Sequence, residues 1–360
     1  MSESKKRTEK QGITRRTFIR TTGAAGIAAM AGSIGFPAVA RSSPTVLNIS
    51  GWGGAFNELM KAHVYPDFEK EHNCKIETDN AFPFAPKLLA SPKRKPIYDM
   101  LHSNSNAQWK AAVAGYLEER LDPNKVPNVK DVFDYTISDK IIGVSAFTSA
   151  IGLSYRPDLI STPPISWKDF WDKKYAGLRA FYVITNSLGS SSWMMAGKVF
   201  GKGFKDSEAA FKAMEALKPI KLVDFTGSIE KMLLSGEVHI AVLHDSAVYR
   251  HLHKKAPLAF TAPKEGVLAL EQVYSVTKGS QKKELAYAYI NHILSPKVQK
   301  VVSEKFWYSP ANKEVVLAPK FTERLFTTTE EVKQLVQVDW KWYNANEDRF
   351  TMRFNKVFRR

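Results

Sequence analysis

The stretch Thr45-Val46-Leu47-Asn48-Ile49-Ser50-Gly51-Trp52-Gly53-Gly54, followed by helically spaced residues 55–72, decides the fold class. Residues 45–50 predict a short apolar strand. Gly51 to Gly54 make a turn, and the helical spacing begins directly after it. A strand that runs through a glycine turn into a helix is the repeating unit of α/β layers.

The same alternation continues along the chain. Strands are predicted at 75–80 and 98–102, the second ending in the polar loop Ser103-Asn104-Ser105-Asn106, with a helix at 107–115. Residues 143–155 form a long β-rich run of small residues, long enough to leave one domain and enter another. An amphipathic helix is predicted over 166–175, capped by Ser166 and ended by Gly177. A strand at 179–185 opens onto Asn186-Ser187-Leu188-Gly189 and a helix. Strands at 221–225 and 239–243 alternate with helices at 207–217 and 228–234, and the segment His244-Asp245-Ser246 follows the last strand. A strand near 258, a second at 272–277 and helices from 283 complete the pattern, before an aromatic final helix from 329 through 344 and beyond. This alternation predicts an α/β fold with a largely parallel sheet. The polar loops fall at the C-terminal ends of strands, where open α/β sheets bind ligands. Two such sheets facing each other would converge their loops on one cleft, with helix N-termini offering N–H groups to an anion.

The length of 360 residues suggests two domains. The net charge is +16. Residues 1–40 carry seven Lys/Arg and two Glu, five units of that charge, so the remainder carries +11. Those charges are scattered and no zinc-finger spacing or aromatic-basic motif accompanies them, which reads as a solvated surface and not as a nucleic-acid partner. The lone Cys74 lies in the strand-like run Cys74-Lys75-Ile76-Glu77; it excludes an intramolecular disulfide and reads as a small core residue.

The first 40 residues have the layout of an export signal. A basic region precedes the weakly apolar, Gly/Ala-rich residues 21–36, and the stretch ends at Ala38-Val39-Ala40. Thr14-Arg15-Arg16-Thr17-Phe18-Ile19-Arg20 resembles the twin-arginine signal. The expectation is a partnership with twin-arginine export machinery, release into the periplasm, and a mature chain starting near Arg41.

No Gly-x-Ser-x-Gly, P-loop, Gly-x-Gly-x-x-Gly or His-Glu-x-x-His pattern is present, so no catalytic residue, cofactor or metal is expected. His251 and His253 are two residues apart, a spacing that faces them apart on a helix. Trp167, Trp171, Trp340 and Trp342 read as packing residues.

Six segments in order carry a family likeness: Gly51-Trp52-Gly53-Gly54; Tyr98-Asp99-Met100 leading to Ser103-Asn104; the run from Ile165 to Gly177; Leu234-Ser235-Gly236-Glu237-Val238; Pro263-Lys264-Glu265-Gly266; and Trp307-Tyr308-Ser309-Pro310-Ala311-Asn312. Over nearly all of residues 44–350 the chain resembles the extracellular solute-binding proteins of the spermidine/putrescine-binding type. The resemblance implies a type II periplasmic-binding-protein fold: two α/β lobes, a hinge, one small-molecule ligand held by lobe closure, and an ABC permease as partner. It implies lobe one over residues 44–150 and 272–315, lobe two over 151–271, and a C-terminal helical segment, 316–360, packing on lobe one of a monomer. Carried across by position, the ligand-binding candidates are Trp52, Gly53, Ser103, Asn104, Asn186, Ser187, Asp245, Gln272 and Tyr308. At the two places where the family's polyamine binders carry acids, this chain has Thr185-Asn186-Ser187 and Leu270-Glu271-Gln272. Asp245 and Glu271 are the carboxylates that could face an amine, which favours a single-amine compound over spermidine; a neutral or anionic organic solute is the other option. A twin-arginine-exported enzyme and a receptor without a transporter are the rival classes.

Overall fold

A computed structural model describes residues 44–119, 121–134, 143–252 and 254–358. The export signal read over residues 1–40 lies outside the described residues. Ten strands are described: β1 (Thr45–Ser50), β2 (Cys74–Asp79), β3 (Met100–Ser103), β4 (Val144–Tyr155), β5 (Arg179–Tyr182), β6 (Lys221–Val223), β7 (Ile240–His244), β8 (Ala259–Thr261), β9 (Leu268–Val276) and β10 (Ser309–Pro310). They hydrogen-bond in the order β2-β1-β3-β9-β4-β7-β5-β6, with β8 and β10 both pairing with β4.

The expectation of two separate sheets needs correction, because one ladder joins them. At 12 residues, β4 is about 40 Å long, more than one lobe needs. Its first half pairs with the late part of β9 and with β10, and its second half pairs with β7 and β8. β1, β2 and β3 are mutually parallel on one side, as are β5, β6 and β7 on the other. Among the described strands, β4 and β9 cross between them. Every residue of β4 is buried, which accounts for its small side chains. At Gly152 a Cβ would lie 2.6 Å from the Thr261 carbonyl oxygen and 2.8 Å from the Phe260 ring.

Each side has its own core. The first includes Leu47, Ile49, Met60, Phe68, Ile290 and Val302. The second includes Trp167, Phe181, Trp193, Met214, Ile229 and Leu243. The chain therefore has the two-lobed α/β architecture. Helices α1 (Gly54–His63), α2 (Tyr65–His72), α3 (Phe84–Ala90) and α4 (Ser105–Val113) belong to the first part of the chain. Next come α5 (Ser187–Phe200), α6 (Ser207–Ala216), α7 (Thr226–Ser235) and α8 (Asp245–Leu252). They are followed by α9 (Lys283–Ile293), α10 (Pro296–Phe306), α11 (Pro319–Thr322), α12 (Thr329–Lys333), α13 (Trp340–Asn344) and α14 (Glu347–Phe358).

Three helical expectations change. Residues 55–72 form two helices, because Pro66 has no N–H for the ladder and its ring crowds the preceding turn. Residues 166–175 form two 3-10 turns, Trp167–Trp171 and Lys173–Tyr175. The buried Arg179 explains that break. Its Nη1 donates to the carbonyls of Phe170 at 2.7 Å and Asp172 at 3.3 Å, the acceptors a continuing helix would use. The final helix is three pieces, α12, α13 and α14, interrupted where Val336 pairs with β9. Val336 N–H donates to the Val267 carbonyl at 2.8 Å, and Ala269 N–H donates to the Val336 carbonyl at 2.9 Å.

The C-terminal segment also packs differently from the expectation for 316–360. Phe350, Phe354 and Val357 fall on one face of α14 at i, i+4, i+7 spacing and join the second core against Trp193 and Phe211. From the first lobe, α4 adds the half-buried Trp109 to the edge of this core and an ion pair from Lys110 to Glu347.

Candidate functional site

The chain leaves β1, β3, β5 and β7 at their C-terminal ends and enters α1, α4, α5 and α8. The expected site residues sit in those loops or on the crossing strands. The Trp52 indole N–H donates to Gln272 Oε1 at 2.6 Å. Its ring meets Phe84 edge-on with centroids 5.1 Å apart and lies over Phe82 at 6.5 Å. Gly53 is the residue before α1. Ser103 ends β3, fully buried, and its hydroxyl has no hydrogen-bond partner. Asn104 stands at the N-cap of α4 without capping it; its amide instead donates to the Glu271 carbonyl at 2.8 Å.

Asn186 is occupied by local structure. Its Oδ1 accepts the Leu188 N–H at 2.9 Å and its amide donates to the Asp224 carbonyl at 2.9 Å, which caps α5. Asp245 is 1% exposed, and its Oδ1 accepts N–H groups from Ala150 at 3.1 Å and Ser246 at 2.6 Å. Burial outweighs those bonds and raises its carboxyl to a pKa of about 7. Tyr308 packs among Phe56, Phe147 and Phe306, and burial raises its phenol.

The walls of the two lobes meet at Asn104, Ser105, Ile151, Ser187, Glu271 and Trp340, around a cavity of about 10 Å³. That is room for about one water molecule, against several hundred Å³ for an organic ligand, so the walls must part to take a solute. Of the nine expected residues, Asn104 and Ser187 line this cavity; Gln272 is the neighbour of Glu271 and holds Trp52. Asp245 and Tyr308 are not among its walls.

Glu271, which the sequence offered beside Asp245 as a carboxylate that could face an amine, was not among the nine carried-over site residues, yet it lines the cavity. It pairs with Thr148 on β4, at the point where the two crossing strands pass between the lobes. One carboxylate oxygen accepts from the Ser105 hydroxyl, and the other accepts the Gln337 amide at 3.4 Å. Burial raises its pKa, and the Ser105 bond opposes that shift. Its position over the first turn of α4 places negative charge at a helix N-terminus, the favourable end. The sequence signal was present as Glu271-Gln272, but only the pairing of β9 against β4 and α4 turns the carboxylate into the cavity.

Buried His102 stacks on its cross-strand neighbour Tyr274, ring centroids 4.0 Å and 7° apart, and burial lowers its pKa to about 3. A wider hollow of about 620 Å³ lies on the outside of the first lobe, beside the start of α9. Its lysines Lys278, Lys282 and Lys283 are paired with Glu119, Asp99 and Glu118, and it is remote from the strand ends that form the cleft. Among the described residues no group of three or more His, Cys, Asp or Glu is placed to hold a metal, and no helix is long and apolar enough to cross a membrane.

Two lobes, a two-strand crossing and a polar cleft between helix N-termini define a protein that encloses a small solute. Residues 64–328 match the family described as bacterial extracellular solute-binding protein, and the chain belongs to that family. It is similar to a γ-aminobutyric acid-binding protein of Pseudomonas aeruginosa, 24% identical over 335 residues that cover 89% of this chain and 93% of the relative. A putrescine-binding periplasmic protein of the same species is 21% identical over 311 residues, covering 79% and 82%. The crystal structure of an ABC transporter protein from Clostridium perfringens superposes with a TM-score of 0.71 at 27% identity, covering 86% of this chain and 99% of the other. The function is that of the solute-binding component of an ABC importer.

Proposed function

We propose that the solute is a compound with a single amine, of the ω-amino acid class that includes γ-aminobutyrate, and that its ammonium group sits on Glu271. The observation that carries this reading is one buried carboxylate on the cavity wall, flanked by Asn104 and Ser105. A buried ammonium needs a charged or well-bonded partner. Asp245 already spends its Oδ1 on two backbone N–H groups and does not line the cavity. One carboxylate supports one amine, which argues against a dicationic polyamine. The N-termini of α4 and α5 suit the acid end of the same solute. The similarity to a γ-aminobutyric acid-binding protein supports the same class.

The lobes are taken as residues 44–150 with 272–315 and residues 151–271. The protein acts as a periplasmic monomer, a binding protein without catalytic activity, delivered by the twin-arginine route and presenting its closed form to an inner-membrane permease.

Calorimetric titration of residues 41–360 with γ-aminobutyrate, putrescine, spermidine and succinate tests the ligand class. Binding of γ-aminobutyrate, lost by at least about a hundredfold in Glu271→Gln, is expected, since removing one partner of a buried charge costs about 3 kcal/mol or more. Binding of succinate alone, or of polyamines undiminished by Glu271→Gln, would overturn it.

A further inference from the structure

The residues that complete the solute cavity come partly from outside the segment that matches the family. The match ends at residue 328, whereas Gln337 touches the Glu271 carboxylate and Trp340 forms part of the cavity wall. Both lie on the segment 329–358. That segment is rooted in the second lobe. Tyr343 donates to the Ile184 carbonyl at 2.7 Å, and Phe350 and Phe354 are core residues beside Trp193. Lys205 pairs with Asp339 at 2.8 Å, and Arg353 pairs with Glu208 on α6.

From that root it reaches the first lobe at α4, the helix that carries Asn104 and Ser105. The Asn344 amide donates to the Asn106 carbonyl at 3.2 Å, and Lys110 pairs with Glu347 at 2.5 Å. This second contact differs in balance from the first. Beside the half-buried Trp109 of α4, which packs on the same core, it is made by polar groups, and the side-chain oxygens of Asn106 and Asn344 are both buried without a hydrogen-bond partner. A rooted, apolar, satisfied face and a polar, incompletely satisfied face are what a part needs if it is to stay with one lobe and let go of the other.

We propose that segment 329–358 is a latch that travels with the second lobe, engages α4 on closure, and carries Gln337 and Trp340 onto the solute as determinants of its length. This rests on the solute site lying at Glu271. With the latch engaged, the Gln337 amide donates to the carboxylate that otherwise receives the solute's amine, and the Trp340 ring bounds the far side. A solute must displace the Gln337 contact and fit against Trp340.

Two arms test this. The first uses no ligand. The single native cysteine, Cys74, is buried, so spin labels at Lys61→Cys on α1 and Lys212→Cys on α6 report the distance between lobes. Lys110→Gln with Glu347→Gln should move the distance distribution toward longer separations while leaving the melting temperature within a few degrees. An unchanged distribution would overturn the latch. The second arm titrates γ-aminobutyrate, 5-aminovalerate and 6-aminohexanoate into wild type, Gln337→Ala and Trp340→Phe. Each variant should shift the preference between neighbouring chain lengths by about tenfold toward the longer acid, the scale of one methylene in a fitted pocket. A uniform loss across the series, or none, would overturn the assignment of these two residues. If none of the three acids binds wild type, the single-amine reading fails and the length assignment with it, while the distance arm still decides the latch.

Discussion

Replacing Asp245 by Asn should stabilise the protein at pH 8 and leave it nearly unchanged at pH 4. Asp245 is 1% exposed and bonded through Oδ1 to the N–H groups of Ala150 and Ser246. Burial raises its pKa to about 7. The folded protein therefore keeps a proton that the unfolded chain has already lost between about pH 4 and pH 7, and this group's contribution to stability falls as pH rises through that window. The shift spans roughly three units at about 1.4 kcal/mol each, an upper figure of about 4 kcal/mol above pH 7. Asn keeps the Oδ1 acceptor, and its new N–H groups face the hydroxyl of neighbouring Ser149. Guanidinium unfolding of both proteins at pH 4, 6 and 8 measures the difference. It should grow from near zero to about 2–4 kcal/mol in favour of the Asn variant. An Asn variant equal to or weaker than wild type at pH 8 would refute the reasoning. It would mean that Asp245 is ionised and satisfied in the fold, and so available to an amine after all.

Acid should act in the opposite sense through His102 and His244. Burial lowers both to about 3, so the fold holds them neutral while the unfolded chain takes up protons below about pH 6.5, and stability is lost as pH falls from there. Each can cost on the order of 4 kcal/mol by pH 4, so the pair outweighs Asp245, and melting temperature should rise between pH 4 and 6.5; a flat or falling profile would contradict this. Gly152→Ala should lower stability by about 2 kcal/mol or more in a urea melt, because the new methyl meets the Thr261 carbonyl oxygen at 2.6 Å; an unchanged midpoint would show that β8 simply moves aside.

Legibility in the sequence followed the range of the forces involved. Strand β4 was readable because burial on both faces demands an unbroken run of small and apolar residues, which 144–155 supply, and β2 because Cys74 and Ile76 alternate with exposed Lys75 and Glu77. The helix expected at 166–175 failed because its carbonyls belong to Arg179, whose guanidinium is buried and satisfied by backbone oxygens. Nothing in the local pattern announces that use. The last helix broke for a similar reason, since Val336 prefers a ladder contact with β9, nearly 70 residues earlier. At the site, Asn104 stands in the loop after β3 as read, whereas Gln272 lies inside β9 and not in a loop. The turning of Glu271 into the cavity needed the register of β9 against β4, and the arrival of Gln337 and Trp340 needed the packing of α14 on Trp193.

Cys74 opens β2 from inside the first core, 2% exposed, and burial raises its thiol. With one thiol in the whole chain, oxidation has nothing to join within the molecule, and the raised pKa keeps that sulfur a poor nucleophile toward external disulfides. The folded state is therefore indifferent to redox potential. A chain of this kind needs no disulfide to hold its lobes, so the same structure is expected in a reducing and in an oxidising compartment.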